Sequence, residues 1–532
     1  MKNSIKYLSV LFLVVASGCS DIIDLKSESN IIADNYYSNY TELQSGLTAC
    51  YKGMQNPLTE EWSLTEMRSD NTCMDGATST STPKMDLAYI DQFYPSTTQT
   101  GIYNYWLKTY NNIKNCNTVL NACGANFNPS PGVIEYVPVT IDATAYQCKS
   151  VAAEASFIRA YHYFNLVRLY GGVFLIDEPV TAQQAKMINR SSVLDIYKLI
   201  VADLNNTIAN GKNAAYSATS PDLGRANVWA AKALLAKVYL TLGRNQEAST
   251  LLDSIISSGG YSLQSTYASV FSINNEMNSE ILFAIRFKSG GLGMGNPLSN
   301  IFAPTNSGNA VINGDGSSSN NPTLELTKTS TSYASYIDPA LSRKDVNIGL
   351  YGTSTYYVKK YISPTALAFD AENDWPVIRY ADVLLMKAEA DGNTAGSLAL
   401  INQIRARVGL TALTSTTINT TALFEKALAQ ERRWEFAFEN QRWFDILRFS
   451  TTTTSLSAAT DAFPNLKVQG VEYVMKKHFT NMYSKLYGTF SVLPVTLSQL
   501  QSNANPNRFL LPIPQYEIDT NSFITIPQNP GY

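Results

Sequence analysis

Apolar residues recur along much of the chain at the three- and four-residue spacing of a helix face. In the stretch TELQSGLTACYKGMQ the apolar positions are Leu43, Leu47, Tyr51 and Met54. Successive positions are four, four and three residues apart, so they line one side of a helix. The stretch YNYWLKTYNNIKNCNTVLNAC repeats the spacing at Trp106, Tyr110, Ile113, Asn117 and Leu120. This pattern predicts a mostly helical protein.

Later segments have the pattern of helical hairpins. A long helix is predicted in AAEASFIRAYHYFNLVRLYGG, where Gly171 and Gly172 supply the left-handed conformation that ends helices. Two helices with a break at 243–245 are predicted in RANVWAAKALLAKVYLTLGRNQEASTLLDSIISSGGY, with small side chains at Ala230, Ala233 and Ala236. A further pair of helices is predicted in VIRYADVLLMKAEADGNTAGSLALINQIRARVGL. The segment that partners this pair is predicted in LFEKALAQERRWEFAFENQRWFDILRF. Paired helices of about 34 residues are typical of tetratricopeptide units.

Two regions break the helical pattern. Residues 261–370 are rich in Gly, Ser, Asn and Thr, which predicts loops with short strands, including a flexible loop at GLGMG. Loops on a rigid scaffold commonly carry binding sites. The proline-rich C-terminus, FLLPIPQYEIDTNSFITIPQNPGY, predicts an extended strap over the surface.

The N-terminus has the features of an export signal. Lys2 and Lys6 precede an apolar run of about ten residues, the length of a signal-peptide core. This run is too short for a permanent membrane helix, which needs roughly 20 apolar residues. Residues 16–18 are small and lead into Cys19. They resemble the lipobox of bacterial lipoproteins, in which the cysteine is acylated.

We therefore predict a lipoprotein signal peptide at 1–18, a lipidated tether at 19–33 and a single domain at 34–532. Two acyl chains, such as palmitate, hold a protein stably at a membrane. Ser20 and Asp21 resemble a surface-export signal of Bacteroidetes lipoproteins. The alternative is a secretory signal followed by an unmodified cysteine.

Composition narrows the class of protein. The chain has 40 basic and 43 acidic residues, and nucleic-acid binding needs a clustered basic footprint that is missing. Besides Cys19 there are five cysteines, an odd number that does not indicate a disulfide scaffold. No metal-ligand spacing, nucleophile elbow or phosphate-binding loop occurs, so no cofactor and no metal are predicted. The two histidines include His162, which lies among aromatic residues and is interpreted as a packed side chain.

The segment ERRWEFAFENQRWFDILRF permits two interpretations. Glu439, Arg442, Asp445 and Arg448 are spaced by three residues, which predicts a ladder of ion pairs along one helix face. Alternatively, Glu435 and Glu439 form the acid and base of a glycosidase. We favour the ladder, because neighbouring arginines oppose the raised pKa that a catalytic acid needs.

Four separated segments together resemble the SusD/RagB family of Bacteroidetes outer-membrane nutrient-binding lipoproteins. They are AEASFIRAYHYFNLVRLYGGVFL, NDWPVIRYADVLLMKAEA, ERRWEFAFENQRWFDILRF and the C-terminal LLPIPQYEIDTN with QNPGY. Ser522 stands where the family often has proline.

The resemblance implies a SusD-like fold with four tetratricopeptide-like hairpins and an irregular ligand-binding lobe. It implies a surface-exposed outer-membrane protein, not an enzyme, that delivers oligosaccharides to a SusC-like TonB-dependent transporter. RagB-like binding of peptides or other nutrients for the same kind of transporter is the alternative. A pure assembly protein that binds no small ligand is a further hypothesis.

Sugar binding without catalysis needs flat aromatic faces and polar partners for hydroxyls. The chain has 32 tyrosines and 11% aromatic residues. The resemblance implies that glycan contacts lie in EEWSLTEMRSDNTCMDG and DQFYPSTTQTG. These segments are predicted to form one wall of the binding site, and the irregular lobe a second wall. The first set of candidate ligand-binding residues is Trp62, Arg68, Asp70, Asn71 and Tyr94, and the second is Tyr333, Tyr336, Tyr356 and Tyr357.

Overall fold

The computed structural model describes residues 37–73, 82–304, 307–314, 338–353, 355–449, 466–484, 487–489 and 494–532. Within them, eight helices pack as four consecutive hairpins, each hairpin against the next. The helices are α1 (Tyr40–Thr65), α2 (Thr100–Ala122), α3 (Ala145–Tyr170), α4 (Val193–Asn210), α5 (Val228–Thr241), α6 (Asn245–Ser258), α7 (Tyr380–Asp391) and α8 (Ala395–Arg407). The predicted helical scaffold is confirmed.

Local chemistry sets the ends of these helices. At the start of α3, Thr144 and Gln147 form a capping box that satisfies backbone groups the helix leaves free. The same helix ends at Gly171, whose φ of 73° lies in the left-handed region that favours glycine. Small residues of α5 allow its neighbours to approach closely, and Ala230, Ala233 and Ala236 are fully buried.

The remaining elements flank the hairpins. Three further helices are α9 (Thr421–Glu435), α10 (Arg442–Phe449) and α11 (Leu466–Tyr483). Shorter helices span Thr82–Asp91, Ala182–Ala185, Tyr267–Val270, Leu298–Phe302, Leu341–Asn347, Leu497–Asn503 and Gln515–Asp519. Three antiparallel two-stranded sheets pair β1 (Ala125–Asn128) with β2 (Val133–Tyr136), β3 (Ile281–Ile285) with β6 (Trp375–Arg379), and β4 (Ile348–Tyr351) with β5 (Thr355–Val358).

The predicted ladder along one helix is wrong in its geometry. Helix α9 ends at Glu435 and α10 begins at Arg442. Between them Phe438 and Asn440 have φ values of 63° and 57°, so the chain turns. The turn separates Glu439 from the charges of α10, and of the predicted ladder only the pair between Asp445 and Arg448 lies along a helix.

Part of the C-terminus is buried, whereas an extended surface strap is predicted; residues 515–525 are exposed or half-buried. Leu511 and Ile513 are fully buried, and the backbone amide of Leu511 donates to the carbonyl oxygen of Leu169. The side chain of Asn529 donates to the carbonyl oxygens of Tyr170 and Leu511. The C-terminal residues therefore close the interior beside the end of α3.

One continuous apolar core runs from Leu43 to Ile526 in the described chain. The five described cysteines are buried, and Cys50, Cys116, Cys123 and Cys148 form no disulfide. In these same residues, no helix has the length and apolarity that crossing a membrane requires. Packing of apolar side chains therefore holds the described cysteine-containing helices together without cross-links.

Candidate functional site

Four of the five residues in the first predicted set are buried, namely Trp62, Arg68, Asp70 and Asn71. Trp62 packs edge-on against Phe302, with ring centroids 5.6 Å apart. The guanidinium of Arg68 donates to the carbonyl oxygens of Arg508 and Phe509 at 2.7 and 2.8 Å. It also lies 4.5 Å from the ring centroid of Trp443, and burial lowers the pKa of Arg68 to about 10. Arg68 therefore joins the residues that follow α1 to the C-terminal residues.

Asp70 and Asn71 are held by two arginines. Arg442 donates to both carboxylate oxygens of Asp70, at 2.6 and 2.9 Å. Arg433 donates to the side-chain oxygen of Asn71 at 2.7 Å. Burial by itself raises the pKa of Asp70, but Arg433 and Arg442 outweigh it and hold the pKa well below its usual range. The four buried residues thus lack the exposed surface that stacking on a sugar requires.

Tyr94 is different, because 53% of its side chain is exposed. The guanidinium of Arg508 lies 4.8 Å from the ring centroid of Tyr94 and 4.8 Å from that of Tyr532. Such cation–π contacts fix an aromatic ring in place. Tyr94 therefore presents a ring whose position is set by the C-terminus.

The predicted second wall is described only in part. Tyr333, Tyr336 and Cys19 lie outside the described residues, and the predictions made for them stay predictions. Tyr357 is buried over Gly349, whereas Tyr356 is half-buried. Trp375 is also buried, stacked on Tyr361 with ring centroids 4.7 Å apart.

The proposed glycosidase pair lies inside a cluster of buried charges that we call the Glu435 cluster. Arg379 donates to Glu435 at 2.6 Å and to both carboxylate oxygens of Glu439 at 2.9 and 3.0 Å. Lys360 donates to Glu439 at 2.8 Å. Further members of the cluster are Glu280, Arg343 and Arg407.

The electrostatics of this cluster oppose acid catalysis. Burial acts to raise the pKa of Glu435, but Arg407, Arg379 and Arg343 hold it far below its usual range. A glycosidase acid must keep its proton near neutral pH, which requires the opposite shift. The geometry therefore supports the structural interpretation of Glu435 and Glu439.

His162 is also structural. Its side chain is buried in α3, and Nε2 lies 2.8 Å from the side-chain nitrogen of Asn112. Burial lowers the pKa of His162 to about 3, so the ring is neutral at physiological pH.

The irregular lobe carries a set of exposed apolar side chains that sequence reasoning missed. We call Leu292, Leu367 and Phe369 the lobe platform; all three are exposed, Phe369 by 43%. Two loops that rest on each other carry them, since both amides of Gly290 and Gly291 donate to the carboxylate of Asp370, at 2.7 and 2.8 Å. The signal that could have revealed the platform is apolar residues inside otherwise polar loops.

Contacts from other parts of the chain hold the glycine-rich segment of the platform. Asp370 lies so close to Gly295 that a Cβ atom there would come within 2.1 Å of its carboxylate, so no larger residue fits. The ammonium of Lys52 donates to the carbonyl oxygen of Gly293 at 2.8 Å. The GLGMG segment is therefore contacted by other parts of the chain at Gly293 and Gly295, and the prediction of a flexible loop stays a prediction.

Phe369 itself has a strained backbone. Its φ of 60° lies in the left-handed region, which is unfavourable for a residue with a bulky side chain. The amide of Phe369 donates to the side-chain oxygen of Asn300 at 2.8 Å, which helps to hold this conformation. Strain of this kind persists where the surrounding structure enforces it, and it concentrates at binding sites.

The fold defines a helical-repeat protein with an irregular lobe that carries exposed apolar side chains. Two family models match the chain: one described as SusD family over residues 306–532, and one described as starch-binding, associating with outer membrane, over residues 22–240. The chain belongs to the SusD/RagB family, a family of glycan-binding proteins.

Curated relatives agree with this assignment. SusD-like protein P25 of Formosa agariphila is 26% identical, over 75% of this chain and 76% of the relative. A SusD-like protein of Bacteroides ovatus is 24% identical, over 84% of this chain and 82% of the relative.

Solved structures share the fold. A laminarin binding SusD-like protein has a TM-score of 0.66 and 24% identity, covering 93% of this chain and 100% of that one. Surface glycan-binding protein A from Bacteroides thetaiotaomicron, in complex with laminarihexaose, has a TM-score of 0.66 and 17% identity, covering 92% and 99%.

Proposed function

We propose that this protein is a surface-exposed outer-membrane lipoprotein that binds oligosaccharides and delivers them to a SusC-like TonB-dependent transporter without altering them. Membership of a glycan-binding family supports the ligand class, and one family description names association with the outer membrane. The buried carboxylates of the Glu435 cluster support binding without hydrolysis, because none of them is placed to hold a proton at an exposed site.

The lobe platform is the observation that carries the proposal. Sugars bind proteins through the apolar faces of their rings, which pack on rigid aromatic and aliphatic surfaces, while bordering polar groups meet the hydroxyls. Phe369 and two leucines supply such a surface, and Lys288 and Glu372 border it as a pair of charged groups 2.5 Å apart. Tyr94 is proposed as an additional contact because its ring is exposed and fixed.

Isothermal titration across a glycan panel tests the ligand class, beginning with laminarihexaose because a protein of the same fold binds it. We expect saturable binding by the wild-type protein and weakened binding by Phe369→Ala. Tyr146→Ala is the matched control, because Tyr146 is 75% exposed at the start of α3, away from the lobe. Equal binding by both variants would refute the role of the platform.

Two further arms separate the alternatives. Peptides titrated beside the glycans test RagB-like binding, and saturable binding of peptides alone would replace the oligosaccharide proposal. Chromatography of each glycan after long incubation tests for hydrolysis, and product formation by the purified protein would refute the non-enzymatic assignment.

Anchoring and delivery need an experiment in cells. We expect metabolic labelling with palmitate to mark the wild-type protein and not Cys19→Ala, and the wild-type protein to co-purify with a TonB-dependent barrel. A protein that is unlabelled and recovered free of membranes would contradict the anchoring proposal.

A further inference from the structure

A second concave site lies far from the irregular lobe in sequence. It is a cleft of about 210 Å³ between α2, residues 174–186 and residues 517–521, which we call the C-terminal cleft. This volume lies below the roughly 300 Å³ at which drug-sized pockets begin. This volume suits a group of the size of one sugar ring.

The apolar wall of the cleft is aromatic and fixed. Tyr110 donates its hydroxyl to the carbonyl oxygen of Phe174 at 2.8 Å, which sets the plane of the tyrosine ring. Trp106 meets Phe174 edge-on, with ring centroids 5.5 Å apart and planes at 86°. Leu107 stands exposed at the mouth of the cleft. The apolar wall is therefore preformed, and few of its side chains have to become ordered when a ligand binds.

The opposite wall brings two unlike charges to the cleft without joining them. Glu517 is half-buried and Lys186 is exposed, and neither forms an ion pair with any residue that the structure describes. Burial raises the pKa of Glu517, while a hydrogen bond from the indole of Trp106 acts against that rise. The ammonium of Lys186 lies 5.9 Å from the ring centroid of Phe523. Each charge therefore keeps hydrogen-bonding capacity for a ligand.

We propose that the C-terminal cleft binds one pyranose unit of a neutral saccharide, as a second subsite separate from the lobe platform. The sugar packs its C–H face on the half-buried ring of Tyr110 beside Leu107, one hydroxyl donates to Glu517, and another accepts from Lys186. A simple anion is disfavoured by Glu517 and a simple cation by Lys186, whereas hydroxyl groups satisfy both. The inference rests on the proposed function, because it assigns a further site for the same ligand class.

Saturation-transfer NMR with glucose, xylose, galactose and mannose tests the cleft directly. We expect signals from at least one of these sugars with the wild-type protein, with Phe369→Ala, and with the matched control Leu350→Trp, which enlarges an exposed leucine of β4. Leu107→Trp fills the mouth of the cleft and is expected to abolish the signals. Glu517→Gln is expected to weaken binding severalfold, because it replaces a charge-assisted hydrogen bond with a weaker neutral one.

The outcomes separate this inference from the proposed function. Two results would overturn the proposal of a sugar site in the cleft: no signal from any monosaccharide, or signals that Leu107→Trp leaves unchanged. Neither result would affect the test of the platform by oligosaccharide titration. Displacement of the sugar signals by free glycine or leucine at equal concentration would overturn the assignment to saccharides. Monosaccharide signals that Leu107→Trp abolishes, in a protein that shows no oligosaccharide binding in isothermal titration, would support the cleft and refute the platform.

Discussion

The Glu435 cluster and the lobe platform show opposite uses of side-chain chemistry in one molecule. The cluster consists of charged residues with almost no exposed surface, and its carboxylates and guanidinium groups satisfy one another. The platform consists of apolar residues that keep between 43% and 62% of their surface exposed. Groups that look reactive in the sequence are structural, whereas groups that look unremarkable are free to bind.

The physical reason is the cost of leaving a group unsatisfied. A buried charge is tolerated only when it is paired and hydrogen-bonded, so three arginines around Glu435 leave no capacity for a substrate. An exposed phenylalanine held in a strained backbone conformation costs stability, and strain of this kind clusters at functional sites. Availability for binding is therefore read from exposure and strain more reliably than from residue type.

The largest expected effect comes from breaking the Glu435 cluster with Arg379→Ala. The substitution leaves Glu280, Glu435 and Glu439 without a shared partner, and removal of one member of a buried ion pair costs about 3–5 kcal/mol. We expect a large fall in the urea midpoint of unfolding. The control is Arg244→Ala, whose exposed pair with Glu247 should leave the midpoint unchanged. A normal urea midpoint together with loss of glycan binding would instead show that the Glu435 cluster is a binding site.

The double variant Glu435→Gln with Glu439→Gln tests the glycosidase hypothesis on the same cluster. Neutral amides cannot balance the surrounding arginines, so we expect a melting temperature several degrees lower and no change in glycan binding per folded molecule. If the wild-type protein hydrolyses a glycan, and the double variant loses this activity at an unchanged melting temperature, the protein is a glycosidase instead.

The next effect concerns the platform. Truncation of Phe369 to alanine removes the aromatic surface, and loss of a central aromatic contact costs about 2 kcal/mol, or roughly thirtyfold in Kd. We expect isothermal titration to show this loss while the urea midpoint changes little, because Phe369 lies at the surface. A large fall in the midpoint would mean that the ring stabilises the lobe.

Glu66 provides a pH-dependent test of buried charge. Burial raises its pKa to about 8; Glu439 adds to the rise, and the Asn440 amide, Lys360 and Arg442 oppose it. The folded protein therefore holds a proton that the unfolded chain releases above pH 4.5, so this group lowers stability as the pH rises from 4.5 towards 8.

The variant Glu66→Gln is expected to remove that slope. Glutamine keeps the oxygen that accepts the amide of Asn440 at 2.8 Å and carries no titrating proton. Urea midpoints at pH 5 and pH 8 should then differ less in the variant than in the wild-type protein, with Glu247→Gln as the exposed control. Equal pH dependence in variant and wild type would show that Glu66 does not titrate in this range.

The smallest expected effect separates strain from contact at Phe369. Glycine adopts a φ of 60° without the steric cost that other residues meet, a difference of about 1 kcal/mol. We expect Phe369→Gly to be slightly more stable than Phe369→Ala and to bind glycans equally weakly. If the alanine variant is the more stable of the two, the left-handed conformation carries no strain.

Much of the scaffold follows from the sequence alone. The spacing of apolar residues is a local property of each helix, and glycines such as Gly171 end helices through their own backbone freedom. Patterning therefore identified the hairpins and the irregular region between them. Local patterns failed where distant charges decide the backbone: the turn between α9 and α10 brings Glu439 to Arg379 and Lys360, which are remote in sequence.

The candidate sites are determined by the tertiary structure and could not be predicted from local sequence. Arg68 and Asp70 look available in the sequence, yet residues more than 360 positions away bury them, namely Arg508, Arg433 and Arg442. Conversely, Phe369 becomes a platform only because Asp370 ties two loops together, and the C-terminal cleft exists only where α2 meets residues 517–521. Helix formation depends on near neighbours, whereas exposure depends on every residue that packs nearby, and only the folded chain brings those together.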